Sequence, residues 1–394
     1  MGLSLSLPAD SSESLSKTRP SHELIRAERV YLYGTGVSGR KRSVPELVEH
    51  LQSQYISVAD VSCSVDFVIF LSSSGNVYAH GRNDNHQLGV DTNEESPSIV
   101  RVPISEPIKS MSTGLFHSVV ITDSGEVWTW GMNNKGQCGV GQCSPWVPPT
   151  KINIGNRKAV HCACGINVSI VLTDRGELLA FGDNKRGQCG LLSLNAVYPK
   201  PTMVPLNLEP KERVVHVACS DATALFCTTF GRVFGFGRNN KSQLPGVEAT
   251  EAPPTHLSCF DRIRVAAVSV GWNCAAIIID CGSVRCWHWA GDDDAEYDEA
   301  WATPSSIIGE DSVHQYSAVM VGAMASSFIV ITDENELLEI SIARTEPVKK
   351  LKVGENDKLQ KVRTGPAMVY VLCRSKIEED MPRLGCFSKV NYLC

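Results

Sequence analysis

A phrase of about fifty residues recurs along this 394-residue chain, and four successive copies end almost alike. They read VYAHGRNDNHQLG (Val77–Gly89), VWTWGMNNKGQCG (Val127–Gly139), LLAFGDNKRGQCG (Leu178–Gly190) and VFGFGRNNKSQLPG (Val233–Gly246). Units of this size cannot bury a hydrophobic core alone, so they must stack on one another or close into a ring. The recurrence therefore predicts a repeat architecture across most of the chain.

Each unit has the pattern of a β-hairpin. In the best-formed copy, the apolar, β-branched run Ser118–Thr122 is followed by the turn Asp123-Ser124-Gly125 and a second apolar run, Glu126–Trp130. Two such runs around a short turn that contains glycine are typical of antiparallel strands. By subtraction, the turn residue recurs every 50 to 55 residues, at Gly75, Gly125, Gly176, Gly231, Gly282 and, as asparagine, Asn335.

The number of units and the two chain ends together predict a closed ring. The second strands end at seven positions, which are Gly34, Gly81, Gly131, Gly182, Gly237, His288 and Ser341. Arg29–Gly34 has no first strand before it, and Ala367–Cys373 has no complete second strand after it. Pairing these two segments in one sheet removes the exposed sheet edges. We therefore predict an all-β, seven-bladed β-propeller over residues 27–376, with a disordered tail at 1–26 and a C-terminal tail at 377–394.

Composition narrows the classes of function. The net charge of −6 argues against a chain-wide surface for phosphates, and no apolar run reaches the roughly 18 residues of a membrane span. We see no P-loop, nucleophile elbow or HExxH motif, so we expect no bond-making active site, no metal and no cofactor. We also expect a monomer without integral membrane association. The start of the chain, with Gly2 and Ser6, fits a myristoylation pattern, but we favour chance in a Ser-rich tail as the explanation.

The fifteen cysteines do not follow a zinc or disulfide spacing, and none forms a CxxC pair. Cys138 and Cys189 stand where another copy of the phrase has Leu88, so we interpret them as small buried apolar residues. This cysteine usage is typical of a reducing compartment, and we expect the cytoplasm or the nucleus.

The combined pattern of apolar strand, Asp-x-Gly turn, Val-x-x-Trp-Gly and Asn-x-x-Gly-Gln-Leu-Gly resembles the repeat of the regulator of chromosome condensation family. It is strong between about Val58 and Gly246 and weaker from Asp261 to Cys373. The resemblance implies a seven-bladed propeller. The founding member of that family is a guanine nucleotide exchange factor for the small GTPase Ran and docks on nucleosomes, whereas other members belong to ubiquitin ligases. The fold therefore does not settle the function.

The resemblance also implies candidate residues for partner binding. The family carries Gly-x-x-His before its first hairpin strand, and Gly114-Leu115-Phe116-His117 preserves it. Asp66 matches in spacing an aspartate that precedes one such histidine in the Ran exchange factor, and Asp221 lies in a related loop. A structural interpretation is open for both kinds of residue, as a histidine bonded to loop backbone and a turn-stabilising carboxylate. Elsewhere, other residues stand near the histidine position, namely Phe67, Val168, Thr223, Cys274, Ala325 and Met368.

Further candidates lie in other loops. We include Asp84 of the second unit and Trp272 of the sixth as partner-binding candidates. The sixth unit also carries the acidic run GDDDAEYDEAW, in which Asp292, Asp293 and Asp294 are candidates for docking a basic partner surface. A solvated insertion is the other interpretation of this run.

Two hypotheses for function follow. The first is a non-enzymatic propeller that binds a small GTPase as a guanine nucleotide exchange factor or regulator. The alternative is a substrate- or scaffold-binding module of a ubiquitin ligase or chromatin assembly. Both predict a protein partner, and they differ in which protein that is.

Overall fold

In the computed structural model, the strands lie between Ala27 and Ser375. The structure describes residues 27–35, 39–49, 51, 54, 56–91, 96–191, 193, 196–279, 282–289, 304–308, 318–324, 327–341, 348–355, 357–364 and 368–375. The predictions for the two tails and for Asp292, Asp293 and Asp294 lie outside these residues.

Within the described ranges, 28 strands form seven four-stranded sheets, with a short 3₁₀ helix at Ser258–Phe260 and helical residues at Glu49 and Leu51. The strands of the first half are β1 (Ala27–Thr35), β2 (Lys41–Leu47), β3 (Val58–Cys63), β4 (Phe67–Ser72), β5 (Val77–Gly81), β6 (Ser96–Arg101), β7 (Ile108–Thr113), β8 (His117–Thr122), β9 (Val127–Asn133), β10 (Ser144–Ile152), β11 (Ala159–Cys164), β12 (Val168–Thr173), β13 (Leu178–Asp183) and β14 (Val197–Met203). Those of the second half are β15 (Val214–Cys219), β16 (Thr223–Thr228), β17 (Val233–Arg238), β18 (Glu251–His256), β19 (Val265–Val270), β20 (Cys274–Ile279), β21 (Val284–His288), β22 (Ser305–Ile308), β23 (Ala318–Ala323), β24 (Ser327–Thr332), β25 (Leu337–Ser341), β26 (Lys349–Leu351), β27 (Asp357–Thr364) and β28 (Met368–Ser375).

The predicted hairpins form the middle of each blade. β8 pairs with β9 in antiparallel register from His117↔Gly131 to Ile121↔Val127, and Gly125 turns between them with a φ of +88°. Asn335 occupies the same turn in the seventh blade with a φ of +64°, a conformation that asparagine tolerates better than other side chains. The repeat predicted from the sequence is therefore confirmed at the level of individual turns.

Ring closure across the two chain ends is also confirmed. The first blade has the strand order β2-β1-β28-β27, so it draws two strands from each end of the fold. β1 pairs with β28 from Ala27↔Ser375 to Gly34↔Met368. The inner strands contact in the cyclic order β3, β7, β11, β15, β19, β23 and β27, and β27 contacts β3 again. The molecule is a closed seven-bladed β-propeller.

The hydrophobic core lies between the blades. Among the described residues, each pair of neighbouring blades shares one cluster of buried apolar side chains. Buried tryptophans add polar links to some of these interfaces, because the Trp130 indole N–H donates to the Gln87 carbonyl at 2.9 Å and Trp287 donates to Gln243 at 2.8 Å. Each blade thus buries its face only when its neighbours are present, as expected for repeat units.

The recurring asparagine and glutamine residues organise the loop after the third strand. The Asn133 side-chain oxygen accepts from the Cys138 N–H at 3.0 Å, and the Gln137 side-chain oxygen accepts from the Lys135 N–H at 2.8 Å. The same two bonds recur in the other clear copies. Leu88, Cys138 and Cys189 are fully buried, which confirms that cysteine replaces a small apolar residue here. Much of the recurring phrase is therefore scaffold.

In the part of the chain that the structure describes, no helix has the length and apolar character needed to cross a bilayer. The described cysteines are free thiols, and no group of three or more candidate metal ligands occurs among the described residues.

Candidate functional site

The connections between strands lie on two opposite faces of the ring, and the direction of the preceding strand decides which face each connection is on. Because successive strands of a blade are antiparallel, the connections after the first and third strands lie on one face, which we call the loop face. The hairpin turns and the connections between blades lie on the opposite face, the turn face. Asp66, Asp221 and Trp272 follow first strands and Asp84 follows a third strand, so the structure places these four candidates on the loop face.

The loops after the first strands meet at the ring axis and surround a cavity of about 100 Å³, the axial mouth. The tips of these loops are equivalent positions of successive blades, at Val65, Leu115, Ile166, Asp221 and Trp272. Below them the cavity wall includes Cys63, Cys164 and Cys219, one from the end of each of three inner strands. The rim is thus mostly apolar, and Val65 and Trp272 are 38% and 39% exposed.

The close approach of neighbouring loops explains the glycine of the Gly-x-x-His pattern. A Cβ atom on Gly165 would lie 2.1 Å from the carbonyl oxygen of Ser220, and one on Gly271 would lie 2.4 Å from that of Met324. Both contacts are with the next blade, so glycine lets the loops pack closely around the axis. In the second blade serine replaces this glycine, and the Ser64 hydroxyl donates to the Leu115 carbonyl at 2.9 Å.

His117 is fully buried, and its place in the pattern is structural. Its Nε2 lies 2.9 Å from the Ser169 hydroxyl, which donates to the Gln137 carbonyl at 2.8 Å. Since that hydroxyl has one proton, Nε2 is the donor to Ser169. Burial excludes direct contact between His117 and a partner, so this candidate does not belong to the surface. In the seventh blade the equivalent position is Ser327 rather than Ala325, because β24 begins two residues later than the sequence spacing indicates.

The buried His117 predicts a pH dependence of stability. Desolvation lowers the pKa of His117 to about 3, below its ordinary value of 6.5. Below pH 6.5 the unfolded chain binds a proton that the folded chain excludes, so stability falls as the pH drops from 6.5 towards 3, by up to about 1.4 kcal/mol per pH unit. We expect His117→Phe, which copies Phe67 of the second blade, to reduce this slope in urea unfolding measured from pH 7 to 4.5. If the slope of stability against pH is the same in the variant and the wild type, His117 is not a source of this pH dependence.

Asp66 and Asp84 are brought together by a residue that the sequence analysis did not select. The Arg82 guanidinium lies 3.9 Å from the Asp66 carboxylate and 2.5 Å from that of Asp84. Arg82 directly follows the glycine at the end of the third strand, and Arg238 has the same place in the fifth blade. The shared Gly-Arg-Asn sequence was the signal that could have identified both arginines.

Asp221 and Trp272 are brought together at the axial mouth, on neighbouring blades. The Asp221 carboxylate lies 3.4 Å from the Arg238 guanidinium, and its side chain is 38% exposed. The mouth thus combines an accessible carboxylate with an accessible indole. Sequence reasoning selected both residues and missed Val65 and Ser220, which line the same cavity, because their apolar or small side chains gave no signal of their own.

A charged cluster lies deeper along the axis. The Asp60 carboxylate pairs with Arg363 at 2.8 Å and with Lys361 at 3.2 Å, which links the second blade to the first. His161 and His216 stack nearby with ring centroids 5.1 Å apart. Burial lowers the pKa of His216 to about 3, so this imidazole is neutral at pH 7. The cluster joins inner strands across the ring closure.

Seven antiparallel blades, closed across the chain ends around a narrow mouth of loops, define a β-propeller. The chain belongs to the RCC1-like domain family, whose model matches residues 24–330. This membership confirms the resemblance drawn from the repeats.

The individual proteins that this chain resembles in sequence are longer, and the similarity extends over only part of each. Over 208 residues the chain is 30% identical to the human probable E3 ubiquitin-protein ligase HERC3, covering 51% of this chain and 19% of that protein. Over 140 residues it is 34% identical to the Xenopus laevis protein RCC2 homolog, covering 35% and 27%. The chain therefore spans less than a third of either relative. The crystal structure of Prp20p from Saccharomyces cerevisiae matches with a TM-score of 0.74 at 15% identity, covering 91% of this chain and 94% of that chain, and shows the same fold.

Proposed function

We propose that the loop face is a docking surface for a protein partner, and that this partner is a small GTPase whose nucleotide exchange or activity the propeller regulates. The observation that carries the docking surface is the axial mouth, where Val65 and Trp272 are exposed around Asp221. A partly exposed tryptophan at the centre of a surface, with polar groups around it, is typical of residues that dominate binding energy.

The GTPase assignment draws on the family. The founding member of the family that the repeats resemble is an exchange factor for Ran. The structure of Prp20p was described together with its binding properties to Gsp1p and histones. Exchange requires no bond-making group, because the factor only has to bind the GTPase and distort its phosphate and magnesium site. The carboxylates of Asp66, Asp84 and Asp221 are paired with Arg82 or Arg238, so the loop face offers both signs of charge to a GTPase surface. The cytoplasm or nucleus stays our prediction for where this occurs.

Release of fluorescent GDP from a panel of small GTPases tests the proposal. We expect the chain to accelerate release from at least one of them, and the double variant Asp221→Ala/Trp272→Ala to reduce this acceleration at least tenfold, because both side chains lie at the centre of the surface. Val215→Ala is the matched control, since Val215 is a 47%-exposed apolar residue near the turn face. No acceleration and no binding of any GTPase would exclude the proposal.

Similarity to HERC3 favours a second candidate, a binding module in a ubiquitin ligase assembly. The same double variant distinguishes the two candidates when partners captured on the immobilised chain are identified by mass spectrometry. A nucleotide-free GTPase lost from the double variant supports the first candidate. Ligase subunits or histones lost from the same variant support the second.

A further inference from the structure

We propose that the turn face carries a second docking surface, at the junction of the fourth and fifth blades, and that it binds an acidic segment of a partner protein with an apolar side chain beside its carboxylates. Arg175, Arg213 and Phe230 carry this inference, because the fold places two exposed guanidinium groups beside an exposed phenyl ring. The surface lies opposite the axial mouth, so the inference goes beyond the proposed function and does not depend on it.

Arg213 lies between the hairpin turns of two neighbouring blades. Its N–H donates to the Thr229 hydroxyl at 3.2 Å and its carbonyl accepts from the Thr229 N–H at 2.9 Å, which joins it to the turn of the fifth blade. On its other side, a Cβ atom on Gly176 would lie 2.5 Å from the Cβ of Arg213, so the turn of the fourth blade is in contact as well. Arg175 and Phe230 directly precede the glycine of these two turns. The three side chains therefore start from adjacent points of the turn face.

These side chains are available to a partner. Phe230 is 46% exposed, and both arginines are exposed as well. Arg175 donates to the Asn156 carbonyl at 3.2 Å, and neither Arg175 nor Arg213 forms an ion pair within the described ranges. A guanidinium group has several N–H donors, so each can bind a carboxylate through two parallel hydrogen bonds. Aromatic residues and arginine are also the types enriched at the centres of protein interfaces.

The fold does not require these side chains, since other blades are built without them. The position of Phe230 is held by Ser74 in the second blade and by Ser124 in the third, and that of Arg213 is held by Pro107 in the third. The turns with serine make the same hydrogen bonds to the next inner strand. The arginines and the phenyl ring at this junction are therefore free to serve binding.

The turn that carries Phe230 is fixed by a buried ion pair. Glu212 is 7% exposed, and its carboxylate accepts from the Thr228 hydroxyl and from the Arg232 Nε, the latter at 3.0 Å. Thr228 and Arg232 flank the turn, so one carboxylate holds both of its ends. A surface that is already ordered loses less conformational entropy when a partner binds.

The charge around the junction favours a protein segment over a continuous anionic surface. Its exposed residues that form no ion pair within the described ranges include, besides the two arginines, the cations Lys158 and Lys211 and the carboxylates Asp174 and Glu209. Positive charge is in excess here, in a chain of net charge −6. A bilayer or a nucleic acid would bring negative charge against the two carboxylates as well. A protein segment can instead place its carboxylates at the arginines and an apolar side chain on the phenyl ring.

Fluorescence anisotropy with two labelled peptides tests the surface. The acidic probe is Glu-Asp-Glu-Leu-Phe-Glu-Asp, and the neutral probe, Gln-Asn-Gln-Leu-Phe-Gln-Asn, has nearly the same shape without the charges. We expect the acidic probe to bind saturably and the neutral probe to bind at least about tenfold more weakly, because the arginines then lose their carboxylate partners. Added salt should weaken binding of the acidic probe.

Variants of the chain locate the binding of the acidic probe. Arg175→Ser/Arg213→Ser should weaken it about tenfold, and Phe230→Ser, which copies Ser124, about fivefold. Lys185→Ser/Lys200→Ser is the matched control, because it removes two exposed cations that lie on the loop face and on the outer strand β14. We expect this control to bind the acidic probe as the wild type does.

No binding of the acidic probe, equal affinity for the two probes, or equal losses in the arginine and control variants would overturn the inference. If the arginine double variant does not fold, Phe230→Ser decides in its place, and unchanged affinity there has the same meaning. Vesicles of phosphatidylserine and phosphatidylcholine that bind through Arg175 and Arg213 when the acidic probe does not would assign the surface to a membrane and also overturn it. Binding of the acidic probe by a chain that binds no GTPase contradicts the proposed function alone.

Discussion

Ending the chain after Thr364 will abolish cooperative folding of the whole propeller. This truncation removes β28, which pairs with β1 on one side and β27 on the other. It also removes six consecutive buried residues, Met368–Cys373, from the two core clusters that join the first blade to its neighbours. At about 1.5–3 kcal/mol for each large apolar side chain buried, the loss is on the order of 10 kcal/mol, comparable with the total stability of a typical domain.

Urea unfolding followed by circular dichroism, with size-exclusion chromatography, measures this effect. We expect the truncated chain to show no single transition, and to bind a dye for exposed apolar surface. Ending the chain after Ser375 is the matched control, since it keeps every described strand, and we expect its midpoint to stay close to that of the full chain. Val371→Asp provides a second variant of full length, because it places a charge at a fully buried position of β28. A cooperative transition at the normal midpoint in the chain ending after Thr364 would refute the closure as a source of stability.

The closure shows why so much of this fold could be predicted from sequence. A hairpin turn needs a residue that tolerates positive φ, so glycine at positions such as Gly125 and asparagine at Asn335 mark the turns by necessity. Once seven strand ends were counted, the unpaired runs at Arg29–Gly34 and Ala367–Cys373 had one economical solution. Backbone constraints and the need to bury apolar runs are local, and a single sequence displays them.

The candidate site was less predictable, because its properties arise from packing between blades. The motif left His117 open as a partner-binding or a structural histidine, and the structure buries it, with its ring hydrogen-bonded to Ser169 of the next blade. Ser220 gave no signal, since the absence of a partner for its hydroxyl depends on the loops around it. Asp66 and Asp84 are far apart in the repeat, and Arg82 unites them only in three dimensions. Sequence spacing selected four residues that share the loop face, but the contacts that these residues make there depend on the fold.

Replacing Gly131 with valine will unfold or severely weaken the third blade. Gly131 has a φ of +97°, and a Cβ atom there would lie 2.4 Å from the carbonyl oxygen of Phe116 and 2.9 Å from the Cα of His117. Both contacts are with backbone of the neighbouring strand, which cannot move without breaking the β8–β9 pairing. A β-branched residue also disfavours positive φ, so the two penalties add, and we expect a loss of about 3–5 kcal/mol in the free energy of unfolding.

Gly246→Val separates the two penalties. Gly246 also has positive φ, at +76°, but a Cβ atom there would meet nothing within 4 Å. Its substitution therefore carries the conformational strain without the backbone contact, and we expect a loss of about 1–2 kcal/mol. Urea unfolding of both variants beside the wild type gives the comparison, with GDP release or partner capture showing whether a variant that folds keeps the loop face intact. Equal losses at Gly131 and Gly246 would mean that positive φ alone explains the glycine, and that the close approach of Phe116 to the third strand contributes nothing to its requirement.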